Sequence, residues 1–305
     1  MNTNMDLNGI LLVDKPQGFT SFDVIAKLRG ILRIKRLGHS GTLDPMATGV
    51  LPVLIGKATK ASDILPVDEK SYIAGFKLGM ATDTQDITGE SLFQSDKSIS
   101  FEKLQSTVKD FEGDILQLPP MYSAVSVGGK RLYELAREGK TVEREPRQRK
   151  VNYIKIISYD PSVREGTVEV SVSKGTYIRT LIHDIGNKLE CGGVMTSLRR
   201  ISASGYDIDR CYTLEQIQQY SDKDSLEQAV IPVETAFRNT YRSIKLNRHC
   251  SKLYKNGVKL RLEQVGLYNL DKDETVCVFD YDSFFLGLAK TDIEKNEFKV
   301  YKNFF

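Results

Sequence analysis

The chain has 305 residues, of which 40% are hydrophobic, and its formal net charge is only +3. This length suits one large domain or two smaller domains with a sizeable core. The four cysteines form no Cys-x-x-Cys pair, so neither a disulfide framework nor a zinc site is expected. The N-terminus has no signal-peptide pattern and the apolar runs are too short to span a bilayer, so we expect a cytoplasmic protein without membrane contact.

Apolar spacing predicts alternating strands and helices in the first part of the chain. Residues 10–13 form an apolar run that ends at a Pro- and Gly-containing turn, which predicts a strand followed by a turn. Thr20 and Ser21 are good N-caps for a helix whose apolar face carries Val24, Ile25 and Leu28. Further elements are predicted in this order: a buried run over 50–55, a helix over 58–65, a strand over 72–80 and a helix from 101 that Ser100 caps.

The second part of the chain changes character towards its end. The predicted elements are a strand over 121–127, a basic helix over 130–138, a charged exposed stretch over 140–150, a strand over 168–172, a helix over 177–189 and an acidic, helix-like stretch over 206–226. After residue 241, short apolar pieces alternate with turn residues, which predicts a small β-barrel or sandwich. The sequence therefore predicts a large α+β domain followed by a small all-β domain.

Charge is unevenly distributed along the chain. Residues 241–262 contain seven basic residues and no acidic one, and residues 124–150 contain eight basic and four acidic residues. Local basic stretches in a nearly neutral chain suit a nucleic acid that touches selected surfaces. Ordinary solvated charge explains any single stretch equally well.

The most informative stretch is residues 38–52, which read GHSGTLDPMATGVLP. Its glycines permit tight turns, and Pro45 disfavours a helical conformation at Asp44. Asp44 is therefore presented from a shaped loop, where a carboxylate can act on a ligand. Taken alone, an Asp-Pro pair more often only caps a turn.

This stretch closely resembles the central motif of the pseudouridine synthases that modify the T-loop of tRNA, the bacterial TruB type. Four further strings resemble motifs of the same family: KPQGFTS over 15–21, KSY over 70–72, SKGTYIR over 173–179 and TSLRR over 196–200. The resemblance is strong over 9–206. It is weaker after 241, where the β-rich pattern fits the PUA RNA-binding domain usually found at that place in the family.

The resemblance implies a role for each matching residue. Asp44 would be the catalytic residue, and Arg179 would pair with it and keep it ionised. Tyr72 would stack on the target uracil and has been proposed to handle the proton at C5. The remaining implied roles are loop support by Lys15 and Pro16, insertion into the RNA by His39, pocket lining by Tyr177 and Leu198, and phosphate contacts by Arg199 and Arg200. From the residues alone, Tyr72 could equally be a core aromatic and Arg179 a surface helix residue.

The resemblance also implies the fold and the reaction. We expect a catalytic domain over 1–238, with a mixed but mainly antiparallel sheet, flanking helices and a thumb-like insert over about 124–150, followed by a PUA-like barrel over 239–305. The implied reaction is isomerisation of the T-loop uridine of tRNA, position 55, to pseudouridine after base flipping. No cofactor and no metal are expected. The expected partner is the T-arm and elbow region of tRNA, bound by a monomer without an obligate protein partner.

Two other functions fit parts of the sequence. A tRNA-binding folding chaperone would explain the basic stretches, although pure binding would not need Asp44 paired with Arg179. An RNA-guided relative of the family is the third reading, but the short C-terminus and the thumb-like insert favour the standalone type. Two other motif matches are rejected. Residues 49–57 resemble a phosphate-binding loop, but six residues rather than four separate the first glycine from the Gly-Lys pair. A catalytic triad of Ser40, His39 and Asp44 has no supporting Gly-x-Ser-x-Gly elbow.

Overall fold

Eighteen strands occur in the computed structural model, which describes residues 7–305; the first six residues of the predicted domain 1–238 lie outside the described residues. The strands are β1 (Gly9–Lys15), β2 (Leu37–His39), β3 (Thr48–Ile55), β4 (Lys70–Leu78), β5 (Met80–Thr82), β6 (Ser91–Gln94), β7 (Gly113–Gln117), β8 (Ser126–Val127), β9 (Lys130–Arg131), β10 (Arg147–Asp160), β11 (Glu165–Val172), β12 (Gly193–Ala203), β13 (Tyr206–Asp207), β14 (Val230–Ile231), β15 (Ser243–Lys245), β16 (Thr275–Phe279), β17 (Phe285–Asp292) and β18 (Glu297–Asn303).

Seven α-helices accompany the strands within residues 7–305. They are α1 (Ser21–Leu32), α2 (Phe101–Lys109), α3 (Leu132–Arg137), α4 (Ile178–Lys188), α5 (Leu214–Asp222), α6 (Thr235–Arg238) and α7 (Arg248–Lys255). Short 3-10 helices cover Gly56–Ala61, Ile208–Arg210, Leu226–Ala229 and Leu262–Val265. None of the helices in this range is long and apolar enough to cross a membrane.

A ten-stranded mixed sheet forms the centre of the molecule. Its main path runs β14-β1-β3-β12-β4-β11-β10-β7, with β2 added to β3 and β13 added to β12. The pairings in this sheet are antiparallel except β3 with β12, which are parallel at Thr48 opposite Arg199 and Gly49 opposite Arg200. The mainly antiparallel mixed sheet and the flanking helices of the α+β prediction are confirmed.

The central strands β1 and β3 are buried on both faces. Leu11 and Val13 of β1 join a cluster that includes residues of α1 and α5, whereas Ile10 and Leu12 join a second cluster on the other face. This alternation follows from the two-residue period of a strand. The predicted start of α1 is confirmed, since Thr20 and Asp23 form a capping box.

The C-terminal region differs from the predicted barrel. Strands β15, β16, β17 and β18 form an open four-stranded sheet rather than a closed one, and the helix α7 was not predicted. Phe279, Leu288 and Phe304 of this region share an apolar cluster with β1 and β3 residues. The C-terminal sheet therefore covers the second face of the central strands, which removes the need to close on itself.

Several predicted boundaries shift for local reasons. The predicted helix over 58–65 is only a 3-10 helix over Gly56–Ala61, consistent with Pro66, which disfavours a helical conformation at the preceding residue. The predicted strand over 121–127 shrinks to β8. Residues 147–150, predicted to lie in the thumb-like insert, pair with β7 as part of β10 in the central sheet. Only α5 and a short 3-10 helix represent the helix expected over the acidic stretch up to 226.

Candidate active site

The loop that carries Asp44 connects two paired strands. Strands β2 and β3 form an antiparallel hairpin with Leu37 opposite Ile55 and His39 opposite Val53, so residues 40–47 are its connection. Leu43 and Ala47 on either side of Asp44 are buried in the main apolar cluster. The loop is thus attached to the core next to Asp44, while the Asp44 side chain stays 39% exposed.

Lys15 supports the Asp44 loop from inside the protein. This side chain is fully buried, and its ammonium donates hydrogen bonds to the carbonyls of Pro16 at 2.9 Å, Phe19 at 2.5 Å and Pro45 at 3.4 Å. Burial lowers the pKa of Lys15 to about 8, and the negative charge of Asp44 acts in the opposite direction. The positions of Lys15 and Pro16 are those expected of groups that support the loop.

Two further buried side chains hold the loop. The Leu43 amide donates to Ser21 Oγ at 2.9 Å, and Ser21 Oγ in turn lies 3.3 Å from Leu43 O. Arg200 of β12 is fully buried and donates to Val50 O at 2.7 Å and to Gly41 O at 3.1 Å. Two of the Arg200 donors thus bind main-chain carbonyls inside the protein, and the expected phosphate contact of this residue stays a prediction.

Arg199 does not contact the Asp44 loop carbonyls but also has partners within the described part of the protein. Its guanidinium makes a two-pronged contact with the Asp14 carboxylate, at 3.1 Å and 2.8 Å, and donates to Thr48 Oγ1 at 3.2 Å. Its side chain is still 42% exposed. A phosphate contact by Arg199 therefore stays a prediction.

Asp44 meets Arg179 directly, although the two residues are 135 positions apart in the sequence. Arg179 Nε lies 3.0 Å from Asp44 Oδ2, and the arginine is only 6% exposed. This burial excludes the reading of Arg179 as a surface helix residue. Within residues 7–305 no hydrogen bond reaches Asp44 Oδ1, so that oxygen is available to a substrate.

The other nitrogens of Arg179 fix its orientation. Nη1 donates to Thr84 O at 3.1 Å and lies 3.7 Å from Asp86 Oδ2, and Nη2 donates to Tyr122 O at 2.9 Å. Asp86 is nearly buried, and its Oδ1 accepts hydrogen bonds from the hydroxyls of Thr84 and Thr88. The guanidinium is therefore held between two carboxylates and two carbonyls, with Nε aimed at Asp44.

Tyr72, Leu198 and Tyr177 are the residues expected to line the pocket. Tyr72 of β4 and Leu198 of β12 belong to the same buried cluster as Leu43 and Ala47. Tyr177 precedes α4, and Gln117 holds its main chain by accepting from its amide at 2.8 Å and donating to its carbonyl at 3.0 Å. Tyr72 and Leu198 thus share a cluster with the residues that flank Asp44, Tyr177 lies two residues before Arg179, and the roles of all three towards a base stay predictions.

His39 lies at the other end of the loop, as the last residue of β2. Burial lowers the pKa of this imidazole, and the positive charge of Arg200 adds to the effect, so His39 is neutral near pH 7. Its Nδ1 is buried and has no hydrogen-bond partner within the described part of the chain. His39 is half-buried rather than projecting, so its insertion into RNA stays a prediction.

Three residues that support the site were not predicted from the sequence. They are Asp86, Thr84 and Gln117, each of which holds Arg179 or the start of α4. A usable signal was present in residues 83–89, where polar residues with short side chains and a glycine lie between two apolar runs. Such a composition is typical of a loop built on side-chain to main-chain hydrogen bonds.

Two family models match this chain. A model described as TruB family pseudouridylate synthase, N-terminal domain, matches residues 29–178, and one described as tRNA pseudouridylate synthase B C-terminal domain matches residues 179–238. A tRNA pseudouridine synthase B of Clostridium novyi (strain NT) is 44% identical over 93% of this chain and 95% of its own length. The chain belongs to the TruB family of pseudouridylate synthases.

Other TruB relatives match over a similar range. A tRNA pseudouridine synthase B of Clostridioides difficile (strain 630) is 39% identical over 96% of this chain and 98% of its own length. Among solved structures, one described as a crystal structure of a Cbf5-Nop10-Gar1 complex has a TM-score of 0.73 at 28% identity, covering 97% of this chain and 85% of that chain. The sequence similarity to TruB relatives and the structural similarity to this complex therefore both extend over nearly the whole chain.

Proposed function

We propose that this TruB family enzyme isomerises one uridine of tRNA to pseudouridine, with the T-loop uridine at position 55 as its target. The observation that carries the proposal is the contact between Asp44 Oδ2 and Arg179 Nε at 3.0 Å. Asp44 lies in the loop whose sequence resembles the central motif of the TruB family, to which the chain belongs. Arg179 engages one carboxylate oxygen of Asp44 and leaves the other unbonded, and the Asp44 side chain is 39% exposed, so a substrate can reach it.

The chemistry needs a carboxylate but no group donor. The bond from ribose C1′ to uracil N1 breaks, the base rotates, and C1′ joins C5, while the hydrogen on C5 is lost and N1 gains one. Asp44 acts either as nucleophile at C6 of the ring or as base on the ribose, and Oδ1 is the oxygen free for either role. Arg179 neutralises Asp44 in the apo site and would orient it towards the substrate.

The remaining groups receive the flipped base. A T-loop uridine can be reached only after it leaves the loop stack, at a cost of a few kcal/mol. Stacking of Tyr72 on the uracil, with Tyr177 and Leu198 as the walls, offsets part of that cost. The apolar surroundings of Leu43 and Ala47 exclude water from one side of Asp44.

We further propose that the enzyme acts in the cytoplasm, as a monomer, on the T-arm and elbow region of tRNA. The insert that contains α3, and the C-terminal sheet with the basic helix α7, contact the RNA on either side of the site. Seven basic residues without an acidic one over 241–262 support the second contact.

The test is tritium release from C5-labelled uridine in an unmodified tRNA transcript. We expect about one equivalent per tRNA from the wild type and none from Asp44→Asn, whose affinity for tRNA stays within about tenfold because the amide keeps the shape of the carboxylate. Release by Asp44→Asn at the wild-type rate would refute the catalytic assignment. Release from the wild type that persists after uridine 55 is replaced would refute the target.

Remodelling of tRNA without catalysis is not favoured. Such a chaperone would need basic surfaces, but a carboxylate held at the surface by a buried arginine would only repel phosphates. The TruB membership and the Asp44–Arg179 contact both favour the enzyme.

A further inference from the structure

A second group of cations lies behind the Asp44 loop, apart from Arg179. Lys70 begins β4, and Arg200 of the neighbouring strand β12 lies opposite Tyr72, two residues further along β4. Both head groups approach Gly41, since a Cβ built at this glycine would lie 2.8 Å from Lys70 Nζ and 3.4 Å from Arg200 Nη1. Gly41 has a φ of +79°, a conformation that favours glycine, so the loop bends where the cations meet it.

The two cations have donors to spare. Arg200 is fully buried, and its Nη1 has no hydrogen-bond partner within the described residues, whereas Nε and Nη2 bind carbonyls. Lys70 makes neither a hydrogen bond nor an ion pair within residues 7–305. The Asp68 carboxylate, which acts on Lys70 from a distance, is 66% exposed and lies 3.7 Å from Lys174 instead.

Like charges in this position raise the free energy of the protein without a ligand. Burial, together with the positive charges of Arg200 and Lys174, lowers the pKa of Lys70 to about 8. An anion at this place would satisfy both head groups at once. Ammonium and guanidinium groups together are typical ligands of phosphate.

We propose that Gly41, Lys70 and Arg200 form a binding site for one backbone phosphate of the substrate RNA, adjacent to the flipped nucleotide. A phosphate can approach from the side of Gly41 and Lys70, which are partly exposed beside the exposed Thr42, while the buried Arg200 Nη1 supplies positive charge from the inner side. Gly41 precedes Asp44 by three residues, which span at most about 10 Å. A phosphate held here therefore fixes the strand within about one nucleotide of the reacting base, and phosphate contacts of this kind position a nucleic acid without reading its sequence.

This inference rests on the proposed function, and its test separates the two. The RNA is a T-arm stem-loop in which one phosphate at a time is replaced by a neutral methylphosphonate. Affinity is measured with Lys70→Gln and with the parent protein, both in an Asp44→Asn background so that no turnover occurs. Lys77→Gln is the matched control, since Lys77 lies on the same strand and is already paired with Glu165 at 2.8 Å.

We expect Lys70→Gln to weaken binding about tenfold, as for loss of a hydrogen bond to a charged group, and to reduce the salt slope by about 0.7. One methylphosphonate next to the target uridine should weaken the parent by a similar factor and weaken Lys70→Gln much less, since only Arg200 remains there, while Lys77→Gln responds like the parent. Equal loss in the parent and in Lys70→Gln at every phosphate would overturn the proposal.

Two further readouts keep the interpretation unambiguous. A lysine that only supports the loop would lower the melting temperature when replaced, whereas removal of an unpaired cation should leave it unchanged or raise it. Lys70→Arg should restore most of the affinity. If the wild type forms pseudouridine but the methylphosphonate series shows no dependence on Lys70, only the phosphate site fails. If the wild type forms none, the proposed function fails while the binding series still tests the site.

Discussion

Replacing Arg179 by lysine keeps the charge beside Asp44 but removes the geometry. Arg179 uses Nε for Asp44, Nη1 for Thr84 O and Nη2 for Tyr122 O, three directions that a single ammonium cannot serve. At least one buried carbonyl and one contact with a carboxylate are lost, which costs about 2–4 kcal/mol of unfolding free energy. With 305 residues and an unfolding entropy of about 2.1 cal/mol/K per residue, the melting temperature should fall by about 3–6 °C.

Activity should fall much further than stability. We expect kcat for tritium release to drop about 10²- to 10³-fold, as for loss of a preorganised electrostatic group, while the affinity for tRNA changes little. The matched control is Arg164→Lys, because Arg164 also donates to a main-chain carbonyl, that of Ser95, away from Asp44. The reasoning is refuted if Arg179→Lys keeps the wild-type kcat, or if the control loses as much activity.

Two predictions concern stability. Burial raises the pKa of Asp184 to about 6, so the folded state binds more protons between pH 4 and 6, and the free energy of unfolding falls as pH rises through this window. Asp184→Asn should therefore stabilise the protein at pH 7, by at most about 3 kcal/mol, and less at pH 4; denaturant titrations that give the same gain at both pH values would contradict this. Gly49→Ala should cost more than about 2 kcal/mol, because the new Cβ would lie 2.1 Å from Arg200 O at a φ of +104°. Gly30→Ala is its control in denaturant titrations, since a Cβ there meets nothing within 4 Å and should be neutral or slightly stabilising.

Capping residues and apolar spacing predicted those helices and strands that are determined by neighbouring residues in the sequence. Thr20 marks the start of α1 in the sequence and caps it in the structure, and Ser100 marks that of α2, where it accepts from the Lys103 amide. The alternation around Val168 and Val170 predicted β11. The proximity of Asp44 and Arg179 followed only from the resemblance, because spacing carries no information across 135 positions.

Tertiary context decided what the sequence patterns could not. Short apolar pieces after residue 241 predict strands equally well for a closed barrel and for an open sheet, and the choice depends on the face of β1 and β3 that the sheet covers. Arg200 has the sequence appearance of a phosphate ligand, yet its position opposite Gly49 in the parallel β3–β12 contact buries it completely. Exposure is a property of the folded sheet rather than of the residue type.

The buried cations help to hold the Asp44 loop in place while the Asp44 side chain stays partly exposed. Lys15 and Arg200 donate to carbonyls on either side of the loop, at Pro45 and at Gly41, in addition to the apolar contacts of Leu43 and Ala47. Because buried cations without carboxylate partners are unfavourable, this arrangement is most stable when an anion is bound. An RNA strand that delivers its base to Asp44 brings such an anion with it, and binding and loop order would then support each other.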